Sequence, residues 1–199
     1  MKTFAKNTAR AALLSLALVT AACSSTEYPP QVSAIDYRNF QSIRFNAARI
    51  DVVSDYQPRG SAPNIDHLMD TSPSQAVNDW ARNNLRAGGT SGYVQVRIKD
   101  ASVISRELPR ITGIQGHFTK QQAEELVAHL SVEITGDQQD LRFNGYTSVE
   151  ASQLITIPDE STVAQRKAIE AQLMNRLMTD FINKAQAGIL AHLNPMVMP

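Results

Sequence analysis

Leu126-Val127-Ala128-His129-Leu130-Ser131-Val132-Glu133-Ile134 alternates without a break. Leu126, Ala128, Leu130, Val132 and Ile134 share one phase, which predicts a β-strand with those five side chains on its buried face. His129, Ser131 and Glu133 fall on the other face. Upstream, Tyr93-Val94-Gln95-Val96-Arg97-Ile98-Lys99 repeats the pattern, with Val94, Val96 and Ile98 inward and Gln95, Arg97 and Lys99 toward solvent. Ala101-Ser102-Val103-Ile104 extends that strand past a bulge. Downstream, Gly136-Asp137-Gln138-Gln139-Asp140 reads as a hairpin loop. Leu141 to Ala151 reads as the returning strand, with Leu141, Phe143 and Val149 in one phase.

A sheet with one apolar face must be covered, and two segments have the period to cover it. Ser72-Pro73-Ser74-Gln75 opens the first helix, with Ser72 as N-cap, Pro73 at the first helical position and Gln75 completing a capping box. Its stripe is Ala76, Val77, Trp80, Ala81 and Leu85. The helix is predicted to run to about Ala87 and to stop at Gly88-Gly89. Trp80 lies in this stripe and is read as core. The second helix starts at Thr162 with a capping box to Gln165. It carries Ile169, Leu173, Met174, Leu177, Met178, Phe181, Ile182 and Ile189 at helical spacing. The apolar tail Asn194 to Pro199 reads as a frayed end, with a docking tail as the alternative.

Before the first helix, Phe45 to Val53 reads as one strand, although Phe45 and Ala47 are out of phase with Ile50 and Val52. A bulge would reconcile them. Tyr56 to Asp70 is a loop. The expected fold is α+β, in the order βαβββα: a four-stranded, mostly antiparallel sheet with two helices packed on one face. The domain spans 41–199.

The chain begins with a targeting segment. Lys2, Lys6 and Arg10 form a basic n-region, Ala11 to Val19 an apolar run of about nine residues, and Thr20-Ala21-Ala22 a small-residue exit. Such a run is far short of the roughly 20 residues that cross a bilayer as a helix. Residues 1–22 are read as a signal peptide. Cys23, the only cysteine, follows directly, so no intramolecular disulfide is available. Residues 23–40, with Pro29 and Pro30, read as a tether that reaches roughly 20–25 Å on average, with docking on the domain from Ile35 onward as the alternative. Without the leader the chain holds 16 Lys and Arg against 19 Asp and Glu, a formal charge of −3. That balance lacks the basic footprint of nucleic-acid binders, and no nucleic-acid partner is expected.

No motif announces catalysis. His67, His117, His129 and His192 contain no i, i+4 pair and no HExxH. Gly88-Gly89-Thr90-Ser91-Gly92 follows a helix and precedes a strand, the reverse of a phosphate loop. Glu124 and Glu125 are neighbours in sequence, which is no arrangement for an acid/base pair. Asp66, His67 and Asp70 are the only clustered polar candidates for an enzyme. We expect no enzymatic activity, no cofactor and no metal.

Leu18-Val19-Thr20-Ala21-Ala22-Cys23 resembles the lipobox of bacterial lipoproteins, with Thr20 where that motif usually has Leu. The resemblance implies that Cys23 is acylated, palmitate included, and becomes the first residue of the mature chain. With the tether and element order, the chain resembles small proteobacterial envelope lipoproteins. Among these are the auxiliary lipoproteins of ABC-type lipid transporters and the lipoprotein of the lipopolysaccharide translocon. Asn64 to Pro73, leading to Trp80, looks like a family signature. Ser24 after the cysteine implies the outer membrane by the same resemblance, with the domain in the periplasm. The expected function is that of a non-enzymatic, lipid-anchored accessory protein that assists transport or assembly through a membrane-protein partner. The alternative is a periplasmic lipid- or peptide-binding module. Its expected contact residues are Tyr56, Ile65, His67, Leu68 and Met69. An open cleft lined by the loop would favour the module, and a loop plugged into the core would disfavour it.

Overall fold

The computed structural model describes residues 34–109 and 122–199. The leader, Cys23 and most of the Leu108–Thr119 turn region, His117 included, lie outside the described residues. Strands β1 (Ile43–Phe45) and β2 (Arg49–Ser54) come first. Helix α1 (Pro73–Asn84), β3 (Leu85–Ala87), β4 (Tyr93–Glu107), β5 (Gln122–Gln138) and β6 (Phe143–Pro158) follow. Helix α2 (Val163–His192) and β7 (Val197–Met198) complete the order.

The four-stranded sheet has the order β2-β4-β5-β6. Strand β2 pairs with β4 in parallel, and the two remaining pairs are antiparallel. Alternation sets the register. Val96, Ile134 and Thr147 lie side by side, then Ile98, Val132 and Val149, then Ala101, Leu130 and Ala151, and all nine are buried. A one-residue slip would turn all of them to solvent. The expected bulge falls between Ile98 and Asp100. The opposite face is solvent-facing, with Arg97, Glu133 and Ser148 in one row and Ser102, His129 and Ser152 in another.

Both helices cover the buried face. Helix α2 has 30 residues, about 45 Å at 1.5 Å per residue, which matches strands of 15–17 residues at about 50 Å. It lies mainly over β6, whose inward row of Gly145, Thr147, Val149 and Ala151 is small. At Gly188 an added side chain would run into Thr147, so the close approach requires glycine there. In α1, Trp80 is fully buried and meets Phe181 of α2 edge-on, with ring centroids 5.1 Å apart at 83°. Trp80 is therefore core, as its place in the stripe predicts.

Both N-cap residues are as read, but only the second helix completes its capping box. At the first, Gln75 does not return a side-chain bond to the Ser72 amide among the described residues. The Ser72 hydroxyl accepts from the Gln75 amide, and Thr162 and Gln165 complete a reciprocal box. Replacing Thr162 with Ala is expected to cost about 1 kcal/mol in urea unfolding. A Thr162→Ser control, which keeps the hydroxyl, is expected to stay within about 0.5 kcal/mol of wild type.

Four expectations are corrected. The first strand is two. Phe45 belongs to β1, Ile50 and Val52 to β2, and Asn46–Ala48 breaks the chain between them. The phase change marks a change of sheet rather than a bulge. The helix after Ser72 ends at Asn84, and Leu85–Ala87 becomes β3. Strand β3 joins β1 and β7 in a second, three-stranded sheet of order β3-β1-β7. The C-terminal tail is not frayed: Met196 is fully buried, and Val197 and Met198 pair with Phe45 and Arg44. Finally, β5 runs on to Gln138 and the return strand starts at Phe143. The hairpin is thus a turn at Gln139–Leu141, with Leu141 exposed.

Gln138 ties the two sheets together. Its buried amide nitrogen donates to the carbonyls of Asn46 and Ser91, at 2.8 and 3.1 Å. Gly92 lies beside this junction at φ +75°, where a side chain would come within 2.5 Å of the Asp137 carbonyl. The Gly88–Gly92 stretch is thus a structural turn.

Candidate functional site

The loop from Tyr56 to Asp70 lies along β4. Ile65 donates its amide to the Val103 carbonyl, Ser105 donates to Pro63, and Asn64 bridges Ile104. The loop thereby covers the edge of β4 beyond the end of β2. Tyr56, Ile65 and Met69 are half-buried against the core. Tyr56 has a buried hydroxyl, and burial raises its pKa to about 12, with the negative Asp66 adding to the effect. Neither the Tyr56 hydroxyl nor the buried Asp66 carboxylate has a hydrogen bond of normal length. His67 and Leu68 face solvent, and Leu68 is 71% exposed.

The five predicted contact residues are therefore not gathered into one cleft. Three plug the core and two point outward. Asp66, His67 and Asp70 do not converge either. Asp66 turns inward, His67 outward, and Asp70 bonds Lys167 of α2 through both carboxylate oxygens, at 2.9 and 3.1 Å.

What the loop does contribute is one wall of a groove elsewhere. Met69, Asp70 and Thr71 approach α2, which supplies Lys167, Glu170, Ala171, Met174 and Asn175. Asp79 of α1 and the neighbouring Ala34, Ile35 and Tyr37 complete the lining. The cavity is about 280 Å³. That is close to the lower end of the roughly 300–1,000 Å³ of small-molecule pockets. Its apolar surface comes from Ile35, Met69, Ala171 and Met174. Tyr37 is held by its hydroxyl, which donates to the Ala76 carbonyl at 3.0 Å. The segment from Ile35, read from sequence as tether, is thus already packed: Ile35, Tyr37 and Phe40 all lie against the core.

The groove is electronegative. Of its lining side chains Lys167 is the one cation, against Asp70, Asp79 and Glu170. Burial pushes the Glu170 carboxyl up despite Arg166 beside it, and the charges of Asp70 and Glu124 push the same way. Burial also raises Tyr37 to about 12, with Asp79 contributing. Behind the groove, Arg166 joins Glu170 at 3.0 Å to Glu124 of β5. The two guanidinium contacts to Glu124 are 2.5 and 2.8 Å. Glu125 meets Arg106 instead, so the adjacent glutamates serve separate ion pairs.

The hydrogen bond from Arg166 holds the Glu124 carboxyl below the usual glutamate range. A depressed pKa contributes stability above the unfolded value, near pH 4.3, and loses it as pH falls through the folded value. Glu124→Gln is therefore expected to be less stable than wild type at pH 7 and to converge with it in acid. Chemical denaturation at pH 3, 5 and 7 checks this, and a difference that persists at pH 3 would contradict it. Glu170 has the opposite sign: its raised pKa favours the fold at low pH, and that contribution is lost as pH rises.

The free edges of the larger sheet are β2 and β6. Arg97 and Lys99, on the interior strand β4, pair with Asp55 at 2.9 and 3.0 Å. Arg142 is in the β5–β6 turn in a left-handed conformation. Among the described residues, no three His, Cys, Asp or Glu side chains group to hold a metal, and no helix is long and apolar enough to cross a membrane.

The groove escaped the sequence reading because it draws on four separated segments. Only Met69 belongs to both the predicted set and the groove. No protein-family profile matches the chain. A search of curated proteins also gives no match. Among solved structures, the chain is similar to a minor lipoprotein from Acinetobacter baumannii at 11% identity and a TM-score of 0.33, over 76% of this chain and 96% of that one. A likeness of that degree assigns neither family nor function.

Proposed function

We propose that this chain is a lipid-anchored, non-enzymatic accessory protein of the bacterial envelope. In this reading it is held at the outer membrane through acylated Cys23, with its domain in the periplasm. It assists transport or assembly by engaging a membrane-protein partner. The observation that carries the proposal is the position of the groove. Ala34 and Ile35, which line it, follow Cys23 by only eleven and twelve positions in the sequence. Eleven residue steps separate Cys23 from Ala34, a span of at most about 40 Å even when fully extended. Once Cys23 is acylated, the groove stays in the zone where membrane proteins emerge from the bilayer. The alternative, a free ligand-binding module, loses the loop cleft it relied on, because Tyr56, Ile65 and Met69 are packed on the core.

In-cell chemical crosslinking followed by mass spectrometry tests this, with Cys23→Ser as control. The expected result is one dominant envelope membrane protein, lost in the control. Co-purified lipid or free peptide with no protein partner would instead support the binding module.

A further inference from the structure

We infer that the groove between α1 and α2 receives a basic, amphiphilic peptide segment of the partner, with a Lys or Arg set beside an apolar side chain. This deepens the proposed function and rests on it. The apolar surface of Ile35, Met69, Ala171 and Met174 lies next to Asp70, Asp79 and Glu170. Each feature selects one part of the occupant.

The charges are unequally answered. Asp70 is occupied by Lys167, and Glu170 by Arg166. Asp79, across the groove on α1, has no ion pair among the described residues, and its charge acts on the Tyr37 ring. Lys167 is already committed to Asp70, so an incoming anion would have to break that pair and face three carboxylates. An incoming cation meets the Asp79 carboxylate directly, with no ion pair to break. Asp79 and Glu170 are partly buried, whereas Asp70 and Lys167 are exposed. Charges at the edge of low-dielectric walls interact more strongly than exposed ones, so the two partly buried carboxylates set the sign preference of the groove. An uncharged apolar ligand would fill the floor and leave that field uncompensated. The volume suits one or two side chains, as expected of an anchor from a longer segment.

The test is isothermal titration of the full chain in detergent with three peptides. They are acetyl-Leu-Lys-Phe-Arg-Leu-amide and the same sequence with Gln or Glu at both charged positions. The basic peptide is expected to bind about tenfold or more tightly than either other peptide, and to weaken severalfold from 50 to 500 mM salt. Asp79→Asn, which keeps the side-chain shape, is expected to lose about tenfold. Ala171→Trp, which fills the groove, is expected to abolish binding, and circular dichroism of both variants reports whether they fold. Equal binding of the Gln peptide, or unchanged binding in folded Asp79→Asn, would overturn the inference. So would no binding of the basic peptide at 1 mM, a threshold on the order of the weakest affinities of interest. The intact mass of the same protein keeps the two readings apart. An acylated protein that binds no basic peptide defeats the groove assignment alone, and a peptide-binding protein without acyl chains defeats the anchor alone.

Discussion

Trp80→Ala is expected to lose about 3–5 kcal/mol of stability in urea unfolding, the cost of deleting a fully buried indole and leaving a cavity. Trp80 is fully buried, sits in the α1 stripe and meets Phe181 of α2 edge-on. It therefore couples the two helices as well as filling the core. A domain of this size has a total of about 5–15 kcal/mol, so the variant is expected to populate unfolded chain measurably at 37 °C. Tyr146→Ala is the control. Tyr146 is 64% exposed on the open face of β6, and its loss is expected to stay within about 0.5 kcal/mol. A Trp80 effect no larger than the Tyr146 effect would mean that α1 does not pack as described.

Cys23→Ser is expected to move the protein from the membrane pellet to the soluble fraction. Each buried acyl CH₂ contributes about 0.8 kcal/mol, and stable anchoring takes more than one chain. In the proposed reading Cys23 is the acylation point, so its replacement is expected to remove the whole anchor. The substitution falls eleven residues upstream of Ala34, outside the described core. Ultracentrifugation of lysate at low and high salt checks this. Retention of Cys23→Ser in the pellet after a salt wash would show that something other than lipid holds the protein there.

The central hairpins and both helices were legible because each satisfies one local period. Leu126 to Ile134 and Tyr93 to Lys99 keep period two over enough residues to fix both face and register. The α2 stripe keeps period 3.6 from Ile169 to Ile189. Where the reading failed, distant contacts decided. Leu85 is in phase with the α1 stripe and is buried as predicted, yet β1 captures it as the start of β3. A phase that suits the helix does not say where the helix stops. Pro195 ends α2 and so suggested a loose tail, but Met196 finds a buried site and Val197 pairs with Phe45, more than 150 residues away. Phe45 to Val53 reads as one strand because its phase change, which records the switch between sheets, looks the same in sequence as a bulge. Tyr56, Ile65 and Met69 looked like a ligand set for the ordinary reason that apolar residues in a loop are ambiguous. They pack beneath it. The groove has no sequence signature because its members, from Ile35 to Met174, share no spacing.

Site-specific photocrosslinking in cells is the measurement that bears most directly on the accessory role. One compact aliphatic diazirine residue, far smaller than the Trp that would fill the groove, replaces Ala171, and another replaces Ser148 on the open sheet face. A single membrane-protein adduct from position 171 and none from 148 is the predicted result. Adducts from 148 but not 171, or none from either position in acylated protein, would contradict the account.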